Sequence, residues 1–141
     1  LGCFLSGGLD SSTIVYYASQ NRPDLETFCI RGEWEKVHPN ESDSFYAKEA
    51  ADFLNVKLNY VDVCPEIFFS NLRFTINSLE EPICDPAAVS TFLISQRARD
   101  KGIKVLLSGI GGDEIFAGYR RHMIGRYLPL IRSMPFEIVF N

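Results

Sequence analysis

What most constrains the fold of this chain is a short apolar run that stops abruptly in glycine, and the pattern occurs twice. Gly2-Cys3-Phe4-Leu5 passes straight into Ser6-Gly7-Gly8, and Ile103 to Leu107 passes into Ser108-Gly109-Ile110-Gly111-Gly112. A helical pattern follows each time, from about Leu9 to Gln20 and again from Asp113. A buried strand that turns sharply into a helix is the repeating step of βαβ construction, and glycine lets the backbone make that turn without a steric penalty.

The sequence between the two loops keeps the same alternation. Pro23 lies just past the first helix, Leu25 to Ile30 reads as a second strand, and Arg31 to Glu41 is polar and irregular. Tyr46, Ala50, Phe53 and Leu54 fall at i, i+4, i+7 and i+8, the spacing of one helical face. Lys57 to Val63 alternates apolar and polar as a third strand. Phe68, Leu72, Ile76 and Leu79 mark another helix, ended at Glu80-Glu81-Pro82. Val89, Phe92 and Leu93 open a further helix, closed by Lys101-Gly102, before the fourth strand at Ile103 to Leu107. Four strands separated by helices predict an α/β fold, a parallel sheet with helices on both faces. In such sheets ligands sit at the carboxyl ends of the strands, where both glycine-rich loops would lie.

Composition narrows the class of partner. With 141 residues, 46% hydrophobic and 23% charged, the chain can bury one globular core. The net charge of -4, with Lys and Arg scattered, argues against nucleic acid. No apolar run reaches membrane length, so no membrane partner is expected. Cys3, Cys29, Cys64 and Cys84 form no C-x-x-C pair and read as reduced thiols of a cytoplasmic protein. The chain opens on Leu1 with a strand pattern already under way and stays apolar from Tyr127 through Phe140, so residues 1–141 are expected to be a piece of a longer protein.

The first loop, Ser6-Gly7-Gly8-Leu9-Asp10-Ser11-Ser12, suits an anion. The glycines permit close backbone approach, the helix that follows offers unpaired N–H groups, and Ser6, Ser11 and Ser12 add hydroxyls. A plain strand-to-helix turn with Ser and Asp as caps is the competing reading. The loop has no Lys, and none occurs before Lys36, so it is not a P-loop of the Walker kind. In place of Lys stands Asp10. A carboxylate among phosphate oxygens is repulsive unless a divalent cation lies between them, which makes Asp10 a candidate Mg²⁺ ligand.

The second loop, Ser108-Gly109-Ile110-Gly111-Gly112-Asp113-Glu114, repeats the grammar with two acids opening its helix. A Rossmann fingerprint fails because Glu114 occupies the third glycine position. With a shared Mg²⁺, Asp113 is expected to grip the same polyphosphate as Asp10. Asp113 and Glu114 acting only as favourable charges at a helix N-terminus remain the alternative.

The first motif looks like the PP-loop of the ATP pyrophosphatase group. Joined to Leu107 through Tyr119, to Glu81-Pro82-x-x-Asp85-Pro86 and to Phe92-Leu93-Ile94-Ser95, it resembles the synthetase domain of glutamine-dependent asparagine synthetases, from Leu1 to roughly Tyr119. The resemblance implies an adenine nucleotide alpha hydrolase-like fold and a ligase that activates aspartate with ATP as β-aspartyl-AMP, releases pyrophosphate, and completes asparagine with ammonia. Carried over by motif position, Ser6, Gly7, Gly8, Ser11 and Ser12 hold pyrophosphate, and Asp10 and Asp113 hold Mg²⁺. Leu5, Ile30, Ser108 and Gly109 enclose the adenosine. Asp10, Asp113 and Glu114 are the catalytic candidates. Ammonia comes from a glutaminase domain outside residues 1–141, and the full protein leaves room for a homodimer.

Two departures bear on the acceptor. Ile110 stands where the better-known asparagine synthetases carry a carboxylate suited to the incoming amine, and Ile cannot act as a base. Ile83-Cys84-Asp85-Pro86 replaces a Thr/Arg cluster of those enzymes. A related amidotransferase or cyclase acting on another carboxylate, and an inert nucleotide-binding module, are the rival expectations. Arg120 and Arg121 are candidates to steady phosphate or product. His38 and His122 have no metal-ligand spacing, while Trp34 and Tyr46 flank a loop that either covers the nucleotide or packs at its rim.

Overall fold

The structure, a computed structural model, describes residues 1–37, 39–80, 85–116 and 118–119. It divides into two compact units, Leu1–Gly109 and Ile110–Asn141, each described by itself.

The first unit holds four parallel strands, β1 Gly2–Phe4, β2 Glu26–Gly32, β3 Lys57–Val63 and β4 Leu106–Leu107. Their order is β3-β2-β1-β4. The chain steps outward from β1 through α1 (Leu9–Asn21) to β2 and through α2 (Asp43–Leu54) to β3. It then returns through α3 (Pro65–Ser78) and α4 (Ala87–Asp100) to β4, on the other side of β1. Parallel crossovers have one hand, so a reversal of stepping direction sends the returning helices to the opposite face of the sheet.

The strand residues sort accordingly. Cys3, Leu5 and Cys29 face one way and pack with Val15 of α1 and Ala47 and Ala51 of α2. Phe28 faces the other way against Ile94 and Ala98 of α4, and Val63 meets Val89 and Leu93. Because both faces are covered, the central strands read as nearly continuous apolar runs. Phe28, Leu5 and Val15 lie fully inside, each contributing about 1.5–3 kcal/mol by burial.

Each helix end has a local cause. Ser42 caps α2 by accepting from Phe45 N–H at 3.2 Å, and Asn55 ends that helix in the left-handed region at φ 52°. Pro65 opens α3, where its missing N–H costs nothing. Asp85 accepts from Ala87 N–H at 2.9 Å ahead of α4, and Gly102 follows that helix at φ +75°. On the amino edge of the sheet Glu26 accepts from Lys57 at 3.1 Å and from Lys101 at 2.9 Å, joining β2, β3 and the end of α4.

The parallel α/β architecture with helices on both faces is as the sequence predicts. Several local expectations need correction. Of the helical face marked by Tyr46, Ala50, Phe53 and Leu54, Ala50 and Leu54 do pack against the core, but the helix buries Ala47 and Ala51 most deeply, and Phe53 is 88% exposed. In α3, Ile76 points to solvent and Thr75 is buried beside the Phe68 and Leu72 face. The fourth strand shrinks to two residues, though Gly2 N–H still bonds Val105 C=O at 2.9 Å. The stretch expected to be irregular begins as the end of β2 and continues in two short 3-10 turns, Glu33–Lys36 and Pro39–Glu41. Expectations at His38, Glu81, Cys84, Arg120, Arg121 and His122, at the Trp34 side chain and at the apolar run from Tyr127 lie outside the described residues.

In the second unit, α5 spans Gly112–Phe116 and follows Gly111 at φ +97°.

Candidate functional site

The strand order reverses between β1 and β4, and at this point both chains leave the carboxyl edge in glycine-rich loops. In open parallel sheets ligands bind at the carboxyl ends of the strands beside such a switch point. Gly7 makes the turn at φ +79° and Gly8 enters α1 with extended backbone. A Cβ at Gly7 would stand 2.3 Å from the carbonyl carbon of Tyr46, so the first turn of α2 presses directly on the loop.

The loop is braced from within. Ser11 Oγ donates to Gly8 C=O at 3.1 Å, accepts from Ser6 N–H at 3.3 Å and lies 3.1 Å from Ser6 Oγ. Ser11 is only 8% exposed. It therefore holds the shape of the loop. Ser12 Oγ is buried and has no hydrogen-bond partner among the described residues. A buried hydroxyl in that condition loses about 1–3 kcal/mol relative to water unless something arrives to satisfy it. The amino end of α1 has no side-chain cap, so its first N–H groups are available in the same place. Asp10, half-buried in the first helical turn, makes no ion pair with any described residue.

The second loop closes on the first through its glycine. A Cβ at Gly109 would fall 2.8 Å from Ser11 N and 3.1 Å from Asp10 Cβ. Leu5 and Ile30, expected around an adenosine, both pack into the sheet's core with their side chains. Leu5 is 1% exposed in the core beneath α1 and α2, leaving only its backbone for a ligand. Ile30 lies inside β2, two residues short of its end, and packs toward α4. Beyond it a cleft of about 580 Å³ opens over the ends of β2 and β3, lined among others by Gly32, Glu35, Ser42, Ser44, Val63 and Cys64.

Within the second unit, Glu114 accepts from the Tyr119 hydroxyl at 2.6 Å. Gly118 N–H donates to Asp113 C=O at 3.2 Å, and a Cβ at Gly118 would collide with the Asp113 carboxylate at 1.8 Å. Gly118 thus makes the space that the Asp113 side chain fills. Sequence reasoning assigned no role to Gly118, Tyr119 or Glu35. The motif from Leu107 to Tyr119 that carries the family resemblance contains the first two and was the available signal. Among the described residues no three His, Cys, Asp or Glu side chains are grouped as a metal site, and no helix is long and apolar enough to cross a membrane.

A parallel sheet of reversed strand order with helices on both faces defines the class: a doubly wound α/β domain. Its family model, described as Asparagine synthase, matches residues 1–136, and the chain belongs to the asparagine synthase family. It is 36% identical over 119 residues to glutamine-hydrolysing asparagine synthetase 1 of Bacillus subtilis, covering 84% of this chain and 18% of that protein. It is 30% identical over 133 residues to glutamine-hydrolysing asparagine synthetase 2 of Oryza sativa, covering 84% of this chain and 21% of that protein. The chain therefore spans only about a fifth of the length of these relatives.

Proposed function

We propose that the full protein is a ligase that builds an amide by first activating a carboxylate with ATP, and that asparagine made from aspartate is the product. Family membership supports the ligase reading, and the buried Ser12 hydroxyl, without a partner among the described residues and beside the uncapped end of α1, supports phosphate binding at this loop. The aspartate side-chain carboxylate attacks the α-phosphorus of ATP, forming β-aspartyl-AMP and expelling pyrophosphate. Ammonia then attacks the acyl carbon and AMP leaves with the carboxylate oxygen.

In this reading the loop from Ser6 to Ser12 receives the pyrophosphate. Ser6, Ser12 and the backbone at Gly7 and Gly8 supply donors, and Ser11 keeps them in register. Asp10 and Asp113 are the residues that would hold Mg²⁺, whose chemistry is to neutralise the phosphate charge developing at the leaving group. Ser108 and Gly109 border the nucleotide by their backbone. Glu114, held by Tyr119, is the candidate to handle the proton of the incoming amine in the absence of a carboxylate at Ile110. Ammonia is supplied by a glutaminase domain in the rest of the protein.

The test is pyrophosphate release by the full-length protein. It should require ATP, Mg²⁺ and aspartate, with glutamine or ammonia needed for asparagine, and Asp10→Ala should abolish it. Undiminished release by Asp10→Ala would sink the metal assignment. Release driven only by another acid would retain the nucleotide chemistry and replace the acceptor, the reading that Ile110 favours.

A further inference from the structure

Glu35 is the only buried carboxylate among the described residues, 9% exposed in the short turn that follows β2. A carboxylate is costly to bury unless its oxygens are satisfied, and here both are. Gly32 N–H donates to Oε1 at 3.2 Å, and the Ser44 hydroxyl donates to Oε2. Gly32 is the last residue of β2 and Ser44 the second of α2. One side chain therefore fastens the carboxyl end of a strand to the opening turn of a helix. Ser42 widens the fastening, since its hydroxyl lies 3.2 Å from Ser44 Oγ and donates to Pro39 C=O at 3.0 Å.

The next residues of α2 meet the phosphate loop. A Cβ at Gly7 would lie 2.3 Å from the Tyr46 carbonyl carbon, 2.4 Å from Tyr46 Cβ and 2.6 Å from Ala47 N, so the loop backbone rests directly on the backbone of α2 and the root of the Tyr46 side chain. Close-packed contacts of this kind pass on displacement without absorbing it. A shift in where α2 begins becomes a shift in where Gly7 sits.

We propose that Glu35 is a positioning residue for the phosphate loop, setting the start of α2 and through it the seat of Gly7. The proposal rests on the ATP reading above. It gives a buried carboxylate, remote in sequence from both glycine-rich motifs, a specific effect on nucleotide binding. A carboxylate that served only to hold its own turn would affect stability alone.

The experiment uses the full chain with Glu35→Ala, Glu35→Gln and Ser44→Ala. It measures pyrophosphate release against ATP and, separately, against the acceptor acid, together with amide hydrogen exchange at Ser6 to Gly8 without nucleotide. Glu35→Ala should raise the KM for ATP about tenfold, leave the acceptor KM within about twofold, and speed exchange in the loop. Glu35→Gln should restore both readouts, because its amide oxygen can accept from Gly32 and its NH₂ can donate to Ser44 Oγ. Ser44→Ala keeps the carboxylate and cuts its tie to α2, so it should reproduce the ATP effect in milder form and stands in if Glu35→Ala does not fold. Variants with unchanged loop exchange and unchanged ATP KM, or with both KM values shifted alike, overturn the proposal. A wild type that releases no pyrophosphate from ATP overturns the functional reading, and the proposal with it.

Discussion

Gly109 and Ser11 are in backbone contact: the position a Cβ would take at Gly109 is 2.8 Å from the Ser11 nitrogen. The start of the loop after β4 thereby presses on the first turn of α1, although the two residues are 98 positions apart in sequence.

Gly109→Ala should thus damage the site more than the fold. The added methyl must displace the turn that carries Asp10 and Ser11, and a shift of that size costs at least about tenfold in ATP-dependent pyrophosphate release. A kinetic assay beside a thermal melt checks it; a fully active variant would show that the loops have room to part.

Gly7 and Gly8 should behave differently though they are neighbours. Gly7→Ala places a Cβ at φ +79° against the backbone of Tyr46 and should destabilise by about 2–4 kcal/mol. Gly8 has extended backbone, and its nearest neighbour to a Cβ is Ser6 Oγ at 3.4 Å, so Gly8→Ala should cost under about 1 kcal/mol. Chemical denaturation of the pair separates the two.

Phe53→Ser and Ala47→Leu test the corrected face of α2. The exposed Phe53 should be replaceable within about 0.5 kcal/mol, whereas extra volume at the buried Ala47 should cost about 1–3 kcal/mol.

Burial, followed by the charges of Asp43 and Glu35, pushes the Cys29 thiol from its ordinary 9.0 up to about 12. The folded chain then binds this proton more tightly than the unfolded chain, so its contribution is intact below pH 9.0 and is lost as pH climbs toward about 12. Denaturation midpoints measured across that window should fall, and Cys29→Ala should flatten the decline. Mass-resolved alkylation at neutral pH should spare Cys29 while modifying the half-buried Cys64.

Glu26 shows the opposite sign. Hydrogen bonding from Lys101 and from Lys57 holds its carboxyl below the ordinary 4.5, so it stabilises the fold above that pH and the gain disappears on acidification. Glu26→Gln should lower neutral-pH stability by no more than about 1 kcal/mol, since the group is partly solvated, and should reduce the salt dependence.

The strand and helix alternation and the two glycine-rich turns are legible in the sequence because they depend on neighbours. Periodicity reports which residues seek burial, and glycine after an apolar run reports where the backbone must bend. The identity of Asp10, and the lack of a lysine beside it, limit the chemistry before any fold is known. What the pattern leaves open is which side of a helix wins. Phe53 fits an apolar stripe as well as Ala47 does, yet Ala47 is buried and Phe53 exposed, and in α3 the polar Thr75 is buried while Ile76 is not. The same holds at the site. Ser11 and Ser12 are chemically alike and adjacent, yet the helix turns one hydroxyl into the loop as a brace and leaves the other buried without a partner among the described residues. Glu35 reads as one more charge in a polar stretch until Gly32 and Ser44 are brought to it from two elements. Sequence determined the segments and the chemistry they can offer, because those depend on local residue type. Tertiary structure decided which groups that chemistry falls to, because burial and close contact depend on residues distant in the chain.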